Sequence, residues 1–494
     1  MRKRPGEARR HPGSNSEMSD TSEFAVPATA TPETARGYWH NIKDALRGAH
    51  HDYTAGPIGR AIFLLAVPMV LETVLESVFA VVDVFFVSRL GADAVATVGL
   101  TESMMVLIYT LAMGLGIGAT ATVARRIGER DAEGASHAAA QAIVLAAAIA
   151  VTLGVVGAFA ASTLLSAMGG SAGVLANVKF TRIMLGGNIV VLMLFLVNAV
   201  FRGAGDAVIA MRVLWLANAI NIFLGPMLIL GVGPFPRLGV VGAAVATTIG
   251  RGTGAVYAVS RLFRPGARVR VNAHHFKLDP ALMWQMVKLS GSGTFQILVG
   301  SASWIALVRI ISTFGSSALA GYTIALRVIM FALLPSWGLS NAAATMVGQA
   351  LGARKPERAE HAVWMAARYN LWFLGSVGVI FVALAGPIAS IFTSDPAVSQ
   401  YAVVGLRTVA FGFPFYAYGM VLTSAFNGAG DTWTPTWINL FVFWAWGIPL
   451  AYILGISVHR GPPGVFLSML VTYTTLALVS VWLFRKGRWK TRRV

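Results

Sequence analysis

Apolar stretches of roughly 20 residues or more recur along nearly the whole chain, and each is long enough to cross a bilayer core as a helix. A soluble chain carries about 25% charged residues. Here only 12% of the 494 residues are charged and 56% are hydrophobic, so lipid is the solvent the sequence is written for. Bounded by Gly, Pro and charge, the runs fall near 61–88, 96–124, 137–167, 175–201, 208–232 and 239–262. A second series falls near 285–313, 319–350, 362–392, 398–426, 434–457 and 462–484. The expected fold is an all-α integral membrane protein with twelve transmembrane helices.

The two series are copies. Phe201-Arg202-Gly203-Ala204-Gly205-Asp206 returns as Phe426-Asn427-Gly428-Ala429-Gly430-Asp431, and Ile127-Gly128-Glu129-Arg130 as Leu351-Gly352-Ala353-Arg354. In the same register Gly91 falls on Gly315, Gly114 on Gly338, Ala119 on Ala343, Glu133 on Glu357 and His137 on His361; Arg182 and Gly187 fall on Arg407 and Gly412. The interval is far longer than a solenoid repeat. It predicts two pseudo-symmetric six-helix bundles, 58–264 and 283–485, around a shared cleft, as in many transporters. Residues 265–282 would link them, 1–57 would be a disordered basic leader without a signal-peptide apolar core, and 486–494 a basic tail.

A net charge of +18 could suggest nucleic acid, but its placement argues for a membrane. Basic residues gather at the N-terminus, at Arg125/Arg126, Arg202/Arg212, 261–270 and Arg354/Lys355/Arg358, and in the tail. On the span count above, these all lie on one side. That is the positive-inside bias, which puts both termini in the cytoplasm of an inner-membrane protein facing anionic lipid, and leaves no role for nucleic acid. The chain has no cysteine, so disulfides and thiolate metal sites are excluded. No motif for a catalytic triad, a Walker lysine or a zinc protease is present, and the expectation is a transporter rather than an enzyme, monomeric and without a cofactor. His50, His51, His274 and His275 are expected to be solvated.

Ionisable residues inside a span are costly and usually face a cavity or a partner. The first span holds three: Glu72, Glu76 and Asp83. Spacings of four and seven put them on one helical stripe, within about 40° of one another. Pro68, one turn earlier, removes a backbone donor and allows a kink, which makes it the expected hinge. A kinked helix carrying a line of carboxylates suits a group that takes up and releases a cation as it bends. Arg251, deep in the sixth span, is the available base and could pair with Glu72, Glu76 or Glu102. In the second half Glu72 falls on Gln296, Glu76 on Gly300 and Asp83 on Leu307, so the acid stripe is not copied. That half offers Trp304, Phe331, Trp337, Tyr416, Tyr418 and Trp444, an aromatic set that suits organic cations. Gln296, Trp304, Tyr416 and Asn198 are the cavity candidates.

Two motifs mislead. Gly203-Ala204-Gly205-Asp206 matches the GxGD of intramembrane aspartyl proteases, but it occurs twice, each time on an inner connection; a turn whose Asp caps the next helix explains it better. Gly114-Leu115-Gly116-Ile117-Gly118 lies within an apolar span with no strand before it, and carries no dinucleotide signal.

The paired Gly-Ala-Gly-Asp turns, Pro68 to Asp83 followed by 87–91, and Leu238-Gly239-Val240-Val241-Gly242-Ala243-Ala244-Val245-Ala246-Thr247 together resemble the multidrug and toxic compound extrusion (MATE) family, over nearly all of the chain after the leader. The resemblance implies two six-helix bundles set as a V, exchanging H⁺ or Na⁺ for cationic amphipathic drugs by alternating access. It makes Asp83 the coupling aspartate, with Na⁺ at Asp83 as the one metal it allows, makes Pro68 the bending proline, and puts Asn221 and Thr247 in the first-half pocket. One departure stands out: where many members read Asn-x-x-x-Asp-Pro, this chain reads Asn221 to Gly225-Pro226, with glycine in the aspartate's place. That gap and the neutral second half favour H⁺ over Na⁺. The rival reading within the same superfamily, a flippase for lipid-linked precursors, calls for a more cationic cavity than this first half offers.

Overall fold

The computed structural model describes residues 44–46, 48 and 51–492, excluding the side chains of 80, 81, 83, 84 and 88. Lipid offers the backbone no hydrogen bonds, so helices that bond within themselves are the structure these apolar runs can take. The first half comprises α1 (Ile58–Val87), α2 (Ala92–Gly128), α3 (Ala132–Ala167), α4 (Val178–Ala204), α5 (Ala207–Leu230) and α6 (Val240–Leu262). The second comprises α7 (Pro280–Ser312), α8 (Ser316–Gly352), α9 (Pro356–Phe392), α10 (Pro396–Ala410 and Phe413–Gly428), α11 (Trp433–Ser457) and α12 (Pro462–Arg485). The repeat reaches into the breaks. α4 is interrupted at Gly187, and α10 bends by 58° at the matching Gly412.

Among the described residues ten helices are long and apolar enough to cross a membrane, or eleven with the bent pair α10 taken as one span. The remaining expected span, 239–262, does form a helix, but α6 is too polar to qualify. Gly242, Gly250, Gly252 and Gly254 alternate with Thr247, Thr248 and Arg251. Its small residues serve packing instead: a Cβ on Gly242 would sit 2.4 Å from the Leu228 carbonyl oxygen of α5.

The halves are joined crosswise. α1 packs on α8, α7 on α2, and α2 on α8 between them. The repeated glycines mark this seam. A Cβ on Gly128 would lie 2.0 Å from the Gln349 carbonyl oxygen, and one on Gly352 would lie 2.2 Å from that of Arg125. Gly114 likewise abuts Thr294 of α7, and its copy Gly338 abuts Met69 of α1. The Gly128 and Gly352 contacts fall at the ends of α2 and α8 that carry the basic loops, and those of Gly114 and Gly338 lie near mid-helix. At the opposite ends Gly91 and Gly315, both with positive φ, have open space where a Cβ would point.

The segments flanking the halves are docked on that basic face. Residues 51–57, expected to be leader, pack onto both halves: Tyr53 is buried and donates to the Gly205 carbonyl, while Arg358 of α9 reaches the carbonyls of Tyr53, Ala55 and Gly56. Burial pushes the Tyr53 phenol up to about 12. The expected leader through 43, with 47, 49 and 50, lies outside the described residues. The tail folds back too, with Trp489 fully buried. Arg492 pairs with Asp431 at 3.4 Å, as its repeat counterpart Arg268 of the linker pairs with Asp206 at 3.9 Å. Asp206 holds the capping position of α5 but makes no capping bond, because its carboxylate turns to the linker arginine.

Candidate functional site

The first-half site is built on α1, with α2, α4, α5 and α6 around it. Its apolar faces bury Leu65 and Met69 against α8, which leaves the acid stripe turned toward the first half's own helices. Glu72 is 5% exposed, and one of its oxygens, Oε1, accepts from Arg202 Nη1 of α4 at 2.7 Å; Oε2 has no donor. One turn on, Glu76 accepts from Arg251 Nη2 of α6 at 3.1 Å and from Asn218 Nδ2 of α5 at 3.0 Å. Arg251 is held from every side. It also donates to the Tyr109 hydroxyl of α2 at 3.0 Å, and it stands over the Phe79 and Tyr109 rings at 5.7 and 5.4 Å.

Each described acid of α1 thus has a base, but their exposure differs. The Glu72 side chain is 7% accessible and that of Glu76 is 31%, so Glu76 is the more exposed of the two carboxylates. Asp83 lies on α1, and its side chain is outside the described residues. Of the three expected partners for Arg251, it is Glu76 that the structure places in bonding range; Glu72 is taken by Arg202, and Glu102 is exposed on α2. Pro68 lies inside a continuous α1, buried next to the Gly338 contact.

Asn221 and Thr247 come together deeper in the half, with Asn221 Nδ2 donating to Thr247 Oγ1 at 2.9 Å. A Cβ on Gly225 would lie 3.7 Å from Asn221 Oδ1, so an aspartate there would adjoin this pair. Asn198 is buried in the first-half core, with Oδ1 unpartnered.

The second half has a different chemistry. Trp304, Phe443 and Tyr473 wall a pocket that also takes in Ser303, Ser468 and Thr472, and about 20 Å³ of it is free, room for about one water. Each of those three hydroxyls donates its only proton to a carbonyl of its own helix, so what they offer the pocket is lone pairs. Tyr416 packs against Tyr473 with ring centres 4.3 Å apart and planes tilted by 36°. Gln296 is buried with its Oε1 unpartnered. Trp304 and Tyr416 therefore share one aromatic cluster. A larger cavity, about 120 Å³, lies away from the acids, under Tyr53 and Gly205 on the basic face.

Histidine placement differs from expectation. His275 is 2% exposed, not solvated: the linker folds onto α3, where His275 and His274 each meet Glu133 Oε1 at 2.7 Å. The cluster has the residue types of a metal site. However, His275 Nδ1 accepts from the Asn272 N–H, which leaves the proton on Nε2 and makes that nitrogen a donor to Glu133 rather than a metal ligand. His50 lies outside the described residues. Sequence reasoning missed Arg202, Asn218 and Tyr109 as members of the site. The intramembrane position of the polar Asn218, one turn from Asn221, was the available signal.

The sequence model of the MatE family matches residues 68–227 and again 294–453, one match per half. The chain belongs to the MATE family of transporters. It is 25% identical to the probable multidrug resistance protein NorM of Thermotoga maritima, with 88% of this chain and 94% of that one covered. It is 24% identical to an FAD transporter of Shewanella oneidensis, over 88% and 96%. Among solved structures, the crystal structure of a MATE protein in the straight conformation superposes with a TM-score of 0.83 at 26% identity, covering 89% of this chain and 98% of that one. The MATE fold, the multi-pass membrane placement and the absence of an enzyme activity in the family follow from these matches.

Proposed function

We propose that this MATE protein is a secondary antiporter that exports organic cations in exchange for H⁺ by alternating access, with both termini in the cytoplasm. The observation that carries the reading is the uneven chemistry of two copied halves. One holds carboxylates that can trade a cation, with Glu76 more exposed than Glu72, and the other holds aromatic rings and acceptor hydroxyls. The Gly128 and Gly352 seam contacts at the basic face support a cleft that opens away from the cytoplasm. Asp83, by resemblance, and Glu76 are the coupling acids; Asn221 and Thr247 line the same half, and Pro68 is the bending point. The name of the Thermotoga relative supports drug-like substrates.

A second reading takes its cue from the Shewanella relative: export of an anionic dinucleotide, with Arg202 and Arg251 as its binding bases. Both arginines are already paired with carboxylates, so these two pairs offer no net positive charge to a phosphate. The test is counterflow of a cationic dye in proteoliposomes under an imposed pH gradient and then an imposed Na⁺ gradient. Dye accumulation driven by pH alone supports the reading. Drive by Na⁺ alone would reassign the ion, and FAD exchange without dye exchange would reject the substrate class.

A further inference from the structure

Arg202 ends α4, and its side chain and backbone face two different halves of the protein. The guanidinium meets Glu72 of α1 at 2.7 Å. Its own carbonyl accepts from Thr345 Oγ1 of α8, and the next carbonyl, that of Gly203, accepts from Gln349 Nε2 of the same helix. The residue that neutralises the buried Glu72 is therefore also a tie across the seam.

The repeat supplies the comparison. At the matching positions of the second half stand Gln296 and Asn427, two neutral amides, each more than nine-tenths buried with its carbonyl oxygen unpartnered. Thr345 and Gln349 fall on Ala121 and Arg125, so the hydroxyl tie from α8 to α4 has no counterpart in the other direction. Among the described residues the ion pair and these cross-seam bonds occur together once.

We propose that Arg202 is a positioning residue for Glu72 and that the pair is a charge-operated lock on the cytoplasmic seam, present only in the first half. The inference rests on the antiporter reading and adds Glu72 as a further place where a proton acts, beside the coupling acids Asp83 and Glu76. A proton added to Glu72 Oε2, which has no donor to displace, converts the carboxylate to the neutral acid and leaves the Arg202 guanidinium buried without a counter-ion. Relief requires α4 to shift, and the Thr345 and Gln349 bonds go with it. The charged and titratable groups facing Glu72 are Arg202 from α4 and Glu76 on α1, with Arg251 of α6 and Tyr109 of α2 beyond Glu76. α5 faces this stretch with Trp215 and Asn218, and α8 with Gly338.

Hydrogen exchange of the full chain in nanodiscs, without substrate, tests this on the amides of residues 340–350. Glu72→Gln should raise their exchange by at least about tenfold over wild type, as expected for an uncompensated buried charge. The double variant Glu72→Gln/Arg202→Asn, which copies the second half's pair, should return to within about threefold of wild type, and its exchange, corrected for the intrinsic rate at each pH, should lose the pH dependence expected of wild type. Arg202→Lys, which keeps the charge, should retain that dependence. Equal exchange in the single and double variants, or a pH dependence of the corrected exchange that survives in the double, would overturn the lock. Neither outcome touches dye counterflow, so loss of the lock and loss of the antiporter reading are told apart.

Discussion

Replacing Gly128 by alanine should force the cytoplasmic seam apart. Gly128 closes α2 against the end of α8, and the added Cβ would lie 2.0 Å from the Gln349 carbonyl oxygen and 2.9 Å from its Cα. Ordinary contact begins near 3.4 Å, and the opposing atoms are backbone, so no side-chain rotation relieves the clash. Alanine is intrinsically the better helix former by about 1 kcal/mol, and any loss must therefore come from the contact. Overpacking of this kind costs about 1–3 kcal/mol. If that cost falls on the closed seam alone, the closed-to-open ratio falls by roughly 5- to 150-fold. The chain has no cysteine, so a single reporter can be placed without background. Ala343→Cys is suited: it is fully buried on α8 in a cluster with Leu65 and Met69 of α1. Maleimide labelling from the cytoplasmic side should quicken by a similar factor in Gly128→Ala. A rate within about twofold of the parent, in protein that remains folded and monodisperse, would refute the seam as the closed gate.

Three further outcomes follow from other contacts. Asp83→Asn should abolish resistance to cationic dyes in a pump-deficient host while expression persists; undiminished efflux would remove Asp83 from the coupling set. Arg358→Ala removes the donor to three carbonyls at about 0.5–1.5 kcal/mol per hydrogen bond, so amides 53–56 should lose protection from hydrogen exchange while those of α9 keep theirs. Asp279 caps α7 by accepting from the N–H groups of Leu282 and Ala281, and the Leu282 bond above all holds its carboxyl below the usual range, helped by His137. A depressed pKa stabilises the fold above the ordinary value and loses that contribution as pH falls through the folded one. Asp279→Asn should therefore lower the unfolding temperature near neutral pH, and the difference from wild type should shrink as pH falls below the ordinary carboxyl value.

Much of this architecture was legible because lipid imposes it. Runs such as 137–167 have no alternative to a helix in a bilayer, and the repeat could be aligned because its glycines at 114, 128 and 203 are held by close backbone contacts. The α6 boundaries were legible too, although its apolarity was overestimated: a helix that hides Arg251 and Thr247 against its neighbours can be more polar than one that meets lipid. Pairing was only half legible. The Arg251–Glu76 contact could be foreseen from depth. Arg202 could not, because beside a glycine turn at the end of a span it read as one more basic loop residue; only the folded course of α4 brings it to Glu72. The docked segments 51–57 and 486–492 escaped notice because what they offer their arginine partners is backbone carbonyl groups, which every sequence has.

Proton release on substrate binding tests the central claim, that ion exchange is carried by the first half. Detergent-solubilised protein in weak buffer would be titrated with a cationic dye while a pH indicator follows the solution. Wild type should release up to about one proton per dye bound, and linkage requires the same coupling to appear as tighter dye binding at higher pH. Glu76→Gln should release clearly less, whereas Tyr416→Phe in the second half should release as wild type does. Equal release from wild type and Glu76→Gln together with diminished release from Tyr416→Phe would contradict the account.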